Sequence, residues 1–475
     1  MNRENRSERS AGRPTAREVT AALLAKYDRP GPRYTSYPTA VEFHEGVGAD
    51  EYERRLAEAN RAAGEPLSLY VHLPFCRHRC LFCGCHVIIT PHKEKALPYL
   101  ELLLREVEMV AERLPDRRRF SQLHLGGGTP TYFDPPTLAE MLERLLARFT
   151  PVEGAEMAVE VDPRVTTTEH IDRLADLGFN RISMGVQDFT PKVQEAVERV
   201  QSVAMTRRLV DHARARGFSG INIDLIYGLP YQTPEGFERT VETVIDLGAD
   251  RAAVYSFAFV PWMRGHMKKL PEGSLPGRET KFSLFGIARE RFLAAGYEPI
   301  GMDHFARPED ELAVARREGR LRRNFQGYAV VPAPDVIGLG ISAIGDLRGA
   351  YVQNAKKLSE YRRLLDAGTL PVVRGIVRTQ DDEIRRDVIH ELMCNFAVDM
   401  RVIERRYGID FRSYFRDDLA LLAEHEREGM CTIGPDRIEA TPTGELFIRN
   451  LAMCFDRYWR ERHASDDRPV FSRTV

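Results

Sequence analysis

The sequence predicts an α/β fold: a partial (β/α)6 barrel of the TIM-like kind, followed by a mainly α-helical C-terminal domain. Two observations lead to this prediction. From about residue 65, short β-branched or apolar runs alternate with longer amphipathic runs, which is typical of parallel strands joined by crossover helices. Polar and glycine residues gather at the downstream ends of the short runs, where the chemistry of such barrels takes place.

Six candidate strands follow one another along the first part of the chain. They are residues 67–75, 122–128, 157–163, 181–187, 221–230 and 252–261. Three intervening segments have the apolar spacing, prolines or caps of helices: 96–114, 135–149 and 233–248. Six such repeats fit either an open doubly wound sheet or a barrel. The polar residues at the strand ends favour the barrel.

Beyond about residue 345 the strand pattern thins out. Residues 352–368, 380–395 and 400–426 read mainly as helices, and a hairpin and a helix capped by Thr443 follow. This end resembles a winged helix, which we interpret as a packing module because the chain has no basic surplus for DNA. The predicted divisions are a tail and arm (1–50), a barrel domain (51–345) and a C-terminal helical domain (346–475).

The composition argues against a nucleic-acid-binding, membrane-spanning or secreted protein. A net charge of −2 over 475 residues gives no general attraction to nucleic acid or to an anionic membrane. Residues 1–17 are polar and Arg-rich, so we predict a disordered tail and not a secretory signal. The sequence has no apolar run as long as a membrane span. These features predict a cytoplasmic protein whose cysteines stay reduced.

Four of the seven cysteines lie within ten positions, at Cys76, Cys80, Cys83 and Cys85. A structural zinc site needs a second, separated pair of ligands, and the other cysteines are scattered. Three thiolates in one short loop suit a cubane iron–sulfur cluster with one iron left open. Of the scattered cysteines, Cys454 is predicted to be a core residue, and the core is also favoured for Cys394 over the active site.

The cysteine loop also carries a family resemblance. CRHRCLFC (76–83) matches the CxxxCxxC signature of radical S-adenosylmethionine enzymes, and GGGTP (126–130) follows the second strand as it does in that superfamily. From about residue 25 to the C-terminus the chain resembles oxygen-independent coproporphyrinogen III oxidases. The matching segments include RYTSYPTA (33–40), CGCH (83–86), HLGGGTPTYF (124–133), GVQDF (185–189), DLIYGLP (224–230), GMDHFA (301–306), NFQGY (324–328), GLGISAIGD (338–346), RRDVI (385–389), MCNF (393–396) and FSR (471–473).

The resemblance implies a radical S-adenosylmethionine barrel and assigns residues to its cofactors. Cys76, Cys80 and Cys83 would hold a [4Fe–4S] cluster, whereas Cys85 matches an extra cysteine that is not a ligand. Two molecules of S-adenosylmethionine would bind. The matching positions are Tyr70, Phe82, Gly127, Gly128, Thr129, Glu160, Gln187, Arg199, Asp224 and Ala258 for the first molecule, and Phe325, Gln326 and Ile344 for the second.

The resemblance also implies the reaction. In each of two rounds a 5′-deoxyadenosyl radical would take one hydrogen from a propionate side chain of coproporphyrinogen III, and loss of CO2 and one electron would leave a vinyl group. The implied partners are this substrate and an electron donor such as flavodoxin or ferredoxin, and family members look monomeric. Arg33 either holds a substrate carboxylate or belongs to an arm over the barrel. His86 and Phe259 depart from the family pattern, which has Asn and, in one form, His there.

Two alternatives remain at this point. A heme chaperone of the same superfamily shares CxxxCxxC and GGGTP but typically lacks the fourth cysteine, RYTSYPTA and MCNF, all of which are present here. A non-catalytic iron–sulfur or zinc protein would explain the cysteines. It would not explain polar residues at the ends of five successive strands.

Overall fold

A computed structural model describes residues 19–330, 333–463 and 471–474. The predicted disordered tail, residues 1–17, lies outside this part of the chain. The strands are β1 (Leu67–Leu73), β2 (Phe75–Cys76), β3 (Ile88–Ile89), β4 (Arg119–Gly127), β5 (Thr150–Val161), β6 (Arg181–Gln187), β7 (Gly220–Tyr227), β8 (Arg251–Ser256), β9 (Glu298–Ile300), β10 (His304–Ala306), β11 (Arg322–Asn324), β12 (Gly327–Ala329), β13 (Val336–Leu339), β14 (Ile344–Leu347), β15 (Ala350–Asn354), β16 (Val372–Val377), β17 (Ala397–Asp399), β18 (Cys431–Ile433) and β19 (Arg437–Ala440).

The helices follow the same order. They are α1 (Ala21–Tyr27), α2 (Ala49–Asn60), α3 (Leu97–Arg113), α4 (Pro135–Leu146), α5 (Thr168–Asp176), α6 (Pro191–Ala196), α7 (Val203–Ala215), α8 (Pro234–Asp246), α9 (Arg278–Ala294), α10 (Glu311–Arg317), α11 (Leu358–Asp366), α12 (Gln380–Asn395), α13 (Met400–Tyr407), α14 (Phe411–Tyr414), α15 (Arg416–Arg427), α16 (Pro442–Leu446), α17 (Ile448–Met453) and α18 (Arg457–His463).

Six parallel strands form the centre of the fold, which confirms the predicted α/β class. Strands β1, β4, β5, β6, β7 and β8 lie side by side in that order within a sheet of 12 strands. At least one helix lies between each strand of this series and the next, as crossovers of parallel strands require. The carboxyl ends of these strands meet at one edge. The register that pairs Leu73 with Gly127 and Gly185 with Asp224 brings the predicted polar residues to that edge.

The sheet continues beyond residue 345. Strand β13 is parallel to β1, and β14, β15 and β16 extend the sheet in antiparallel fashion as far as Val377. The helix predicted to begin at 352 was therefore wrong at its start, because Ala350–Asn354 is a strand and the helix begins at Leu358. All five residues of β15 are buried between β14 and β16. Tertiary pairing overrides the weak local pattern at this point.

The C-terminal region is largely helical, as predicted. The segment predicted as helix over 400–426 is divided into three, because Gly408 ends α13 with φ +67° and Asp410 caps α14. The final hairpin is present, but Thr441 caps the next helix instead of Thr443, and its hydroxyl accepts from the amide of Gly444 at 3.1 Å. Pro442 occupies the first helical position, which places the cap at the residue before it.

The N-terminal arm packs against this C-terminal region. Tyr34 and Tyr37 are buried within a core built mainly from α12 to α17. The hydroxyl of Tyr34 donates to Asp456 at 2.8 Å, and the amide of Gly31 donates to the carbonyl of Ser472 at 3.0 Å. The arm at residues 31–37 and the described C-terminal residues thus lie against each other.

Candidate active site

A cavity of about 360 Å³ lies at the carboxyl ends of the parallel strands. It brings together eleven residues that the sequence predicted for the cluster or its ligand. They are Cys76, Cys80, Phe82, Cys83, Gly127, Gly128, Thr129, Glu160, Gln187, Arg199 and Asp224. These residues come from the cysteine loop and from the ends of β4, β5, β6 and β7, together with the segment that follows α6. Parallel packing therefore assembles side chains that lie far apart in sequence, from Cys76 to Asp224.

The cysteine loop is fixed on both sides. Cys76 lies in β2, which pairs with β3, and its sulfur is 3.5 Å from the hydroxyl of Thr129. The amide of Cys83 donates to the carbonyl of Cys80 at 3.1 Å, which makes a tight turn. Burial raises the pKa of the Cys76 thiol to about 11. A hydrogen bond from Cys85 lowers the pKa of Cys83, which favours the thiolate that a metal binds.

The glycine loop lies close to the side chain of His72 in β1 and to the backbone that follows this strand. Gly127 has φ +113°, and a Cβ there would lie 2.7 Å from the ring of His72. A Cβ on Gly128 would lie 2.6 Å from the carbonyl of Pro74. Both glycines are required by this packing, whatever ligand the cavity holds.

Two carboxylates in the cavity differ in their proton affinity. Burial acts to raise the pKa of Glu160, but hydrogen bonds from His124 (3.0 Å) and the amide of Gly127 (3.3 Å) bring it below its usual value. Burial raises the pKa of Asp224 to about 6, and the charge of Glu160 acts in the same direction. Such divergent values in one cavity are typical of functional sites.

The side-chain oxygen of Gln187 has no hydrogen-bond partner among the described residues. The backbone of this residue has φ +70°, which is rare for a residue other than glycine. The side-chain oxygen is also buried. An unpaired buried acceptor is costly, and it therefore indicates a donor supplied by a ligand in the cavity.

Arg199 is engaged by the protein itself. Its Nη1 lies 3.0 Å from the carboxylate of Asp162 and 3.6 Å from the sulfur of Cys80. Its Nη2 donates to the carbonyl of Gly185. Its Nε is buried and has no hydrogen-bond partner among the described residues. The assignment of Arg199 to the S-adenosylmethionine site stays a prediction.

Asp162 and Arg164 are site residues that sequence reasoning missed. The guanidinium of Arg164 donates to Asp162 at 2.7 Å and to the sulfur of Cys80 at 3.3 Å. Burial acts to raise the pKa of Asp162, but the charges of Arg199 and Arg164 lower it below its usual value. The sequence offered one signal for Asp162, which is its position. Asp162 directly follows the last residue of β5, two positions after the predicted site residue Glu160.

Five predicted residues do not line this cavity. The hydroxyl of Tyr70 is 2.9 Å from Nδ1 of His72, deeper in the barrel. Ala258 is half-buried beyond the end of β8. Ile344 lines a separate small cavity, together with Phe325 and Gln326.

Other predictions from the sequence are resolved by burial and contacts. Arg33 donates to the carbonyl of Ser256 at 2.6 Å and lines a small cavity with Arg449, which supports the arm interpretation over the carboxylate clamp.

Cys394 is 1% exposed and Cys454 is 4% exposed, and both belong to apolar clusters. The core interpretation is confirmed for both cysteines.

The donor set of the cavity fits the implied cofactors. Cys76, Cys80 and Cys83 face one space beside a glycine loop and an unpaired acceptor on Gln187. Within the described ranges, no group of three or more His, Cys, Asp or Glu residues is arranged to hold a metal ion. Three thiols beside one cavity suit a cubane cluster that leaves one iron open to a ligand.

Comparison with known proteins gives the family. Residues 70–244 match the Radical SAM superfamily, and residues 379–447 match the HemN C-terminal domain. The chain is 45% identical to the oxygen-independent coproporphyrinogen III oxidase of Salmonella typhimurium over 96% of this chain and 98% of that protein. It is 44% identical to the Escherichia coli protein of the same name, over the same shares.

A solved structure agrees with these matches over almost its whole length. The coproporphyrinogen III oxidase HemN from Escherichia coli, described as a radical SAM enzyme, aligns with a TM-score of 0.87 and 43% identity. The alignment covers 93% of this chain and 99% of that one. The chain therefore belongs to the oxygen-independent coproporphyrinogen III oxidase family and is a radical S-adenosylmethionine oxidoreductase.

Proposed function

We propose that the chain converts two propionate side chains of coproporphyrinogen III to vinyl groups and so forms protoporphyrinogen IX in heme synthesis without oxygen. When bound, a [4Fe–4S] cluster and S-adenosylmethionine supply a 5′-deoxyadenosyl radical that removes hydrogen from the β-carbon of a propionate. The observation that carries the proposal is one cavity that joins three cysteines of CxxxCxxC to polar strand ends. The names of the full-length relatives support the substrate.

The protein's own residues hold and orient the reactants. Cys76, Cys80 and Cys83 would bind the cluster, and the thiol–hydroxyl contact to Thr129 and the turn at Cys80 keep the loop in place. Arg164 donates to the sulfur of Cys80, and Nη1 of Arg199 lies 3.6 Å from the same sulfur, so two guanidinium groups hold this side chain in position.

The strand ends would bind S-adenosylmethionine. Glu160 is held ionised by its hydrogen bonds and can accept from an ammonium or from ribose hydroxyls. Gln187 offers its unpaired oxygen, and Asp224 adds a carboxylate fixed by Asn222 at 2.8 Å. The amide of Gly127 holds Glu160 at 3.3 Å, and the absence of a side chain at Gly127 lets the loop pack against His72.

Apolar and buried groups around the cavity exclude water from the radical step. Phe82 lines the cavity between Cys80 and Cys83. Tyr70 and Ala258 would complete the first pocket, and Phe325, Gln326 and Ile344 would contact a second S-adenosylmethionine molecule. A second cavity, of about 140 Å³, is lined by both Glu160 and Gln326, and Gln326 also lines the small cavity of Ile344. This continuity supports a second ligand position near the first.

The partners belong to the same proposal. We infer a monomer in the cytoplasm that receives electrons from a flavodoxin or ferredoxin and has neither a nucleic acid nor a membrane as partner. Among the described residues, no helix is long and apolar enough to cross a membrane. The net charge of −2 fits a protein without a nucleic-acid surface.

The decisive test is an anaerobic turnover assay. The protein is reconstituted with iron and sulfide, reduced, and given S-adenosylmethionine and coproporphyrinogen III. The expected result is protoporphyrinogen together with one 5′-deoxyadenosine for each propionate converted. The absence of 5′-deoxyadenosine together with tight binding of heme would replace the proposal with a heme chaperone.

A further inference from the structure

Three segments meet at the cysteine loop and are here together called the cysteine rim: residues 76–90, which contain the loop itself, 259–270 and 352–357. Hydrogen bonds from side chains of two of these segments to backbone carbonyls of the others hold them together. They run from Nε2 of His266 to the carbonyl of Cys83 (2.9 Å), from Nη2 of Arg264 to the carbonyl of Gly84 (2.5 Å) and from Nε2 of His86 to the carbonyl of Lys356 (2.8 Å).

The cysteine rim is strongly basic in an otherwise balanced chain. Its three segments contain seven Lys and Arg residues and no Asp or Glu, although the whole chain has a net charge of −2. Five of the cations are exposed: Arg77, Lys268, Lys269, Lys356 and Lys357. Charge of one sign concentrated on one surface attracts a partner of the opposite sign and speeds its association.

The same surface exposes large apolar side chains. Phe259, Trp262 and Met263 are 41%, 54% and 61% exposed, and they lie within five positions of one another. Trp is enriched among residues that dominate binding energy, and Met adapts to varied partner surfaces. Segment 259–270 thus carries exposed apolar side chains together with the exposed cations Lys268 and Lys269, a combination that is typical of protein-binding surfaces.

We propose that the cysteine rim docks an acidic one-electron carrier protein, with Trp262 and Met263 at the centre of the contact. The inference rests on the proposed function, which needs one electron delivered to a cluster held by the loop at 76–83. In each encounter the carrier loses one electron, the cluster gains it, and no bond forms or breaks. Electron-transfer contacts are small and transient, so three short segments suffice to form one.

The test compares charge and apolar variants of the holoenzyme, with a reduced acidic flavodoxin as the probe. Lys268→Glu/Lys269→Glu removes rim charge and Trp262→Ala removes the apolar centre. Arg405→Glu/Arg427→Glu is the matched control, because these two arginines are exposed in the C-terminal region. The readouts are the Kd of oxidised flavodoxin and the rate constant of cluster reduction by reduced flavodoxin.

We expect the lysine variant to lower the rate constant about tenfold at low salt. The difference should shrink near 1 M salt, where the Debye length is about 3 Å. Trp262→Ala should raise the Kd for flavodoxin about tenfold. The control variant should keep the wild-type Kd and rate constant, and every variant should be reduced by dithionite at the wild-type rate.

Two results would overturn the docking proposal. The first is an unchanged Kd and rate constant in both rim variants. The second is a raised KM for coproporphyrinogen III with dithionite as reductant, which would make the rim a guide for the substrate carboxylates. If wild-type protein fails to turn over even with dithionite, the proposed function fails, and the flavodoxin Kd still decides the docking.

Discussion

Replacing Asp162 by asparagine tests whether the buried pair with Arg199 organises the cysteine site. Arg199 is 7% exposed, and Asp162 is its one carboxylate partner within 4 Å among the described residues. The asparagine side chain would keep one acceptor oxygen but leave the Arg199 charge without compensation. Breaking a buried pair in this way costs about 3–5 kcal/mol. Since Arg199 also donates to the carbonyl of Gly185, we expect a loss of about 3 kcal/mol.

The assay is urea-induced unfolding of the cluster-free protein, followed by far-UV circular dichroism. Asp162→Asn is measured alone and in an Arg199→Met background, where the buried Arg199 charge no longer exists and only Arg164, which is 21% exposed, loses its carboxylate. The second measurement should show a much smaller loss, which corresponds to a coupling of about 2 kcal/mol. Additive effects of the two substitutions would refute the reasoning, because the two side chains would then act independently.

The pH dependence has a definite sign. The pKa of Asp162 is lowered in the folded protein, mainly by Arg199 and Arg164 acting against burial. Its contribution to the free energy of unfolding is therefore complete above the unfolded value of about 3.9 and declines as pH falls below it. Wild-type protein and Asp162→Asn should consequently converge in stability toward low pH.

Further predictions concern ligation, the glycine loop and the second carboxylate. Cys80→Ser should abolish iron binding and turnover, whereas Cys85→Ser should retain the iron and sulfide content of the wild type. Elemental analysis of both reconstituted variants measures this difference. Gly127→Ala should lower S-adenosylmethionine affinity at least tenfold in equilibrium dialysis, because its Cβ meets His72 and its φ is +113°. Burial raises the pKa of Asp224 to about 6, so its ionisation costs stability as pH rises from about 4 to 6. Asp224→Asn should relieve this cost, and its melting temperature relative to wild type should rise across that interval.

The sequence by itself determined the class of fold and most of the cavity. Alternating apolar and amphipathic runs required parallel strands with crossovers, and parallel strands bring their carboxyl ends together whatever their register. Glu160, Gln187 and Asp224 could therefore be placed at one edge without knowing any contact between them. The spacing of Cys76, Cys80 and Cys83 identified the loop because three ligands close together in sequence need no tertiary structure to meet.

The tertiary structure alone decided which groups neutralise one another. The pairing of Asp162 with Arg199 joins residues on different strand–helix units, and its existence depends on how these units pack. Packing also decides the partner of Arg33, which donates to the carbonyl of Ser256 at the end of β8. It likewise decides the burial of β15, which comes from its two neighbouring strands. Local periodicity fixes which face of an element is apolar. It does not encode the partner that a charged side chain meets after packing.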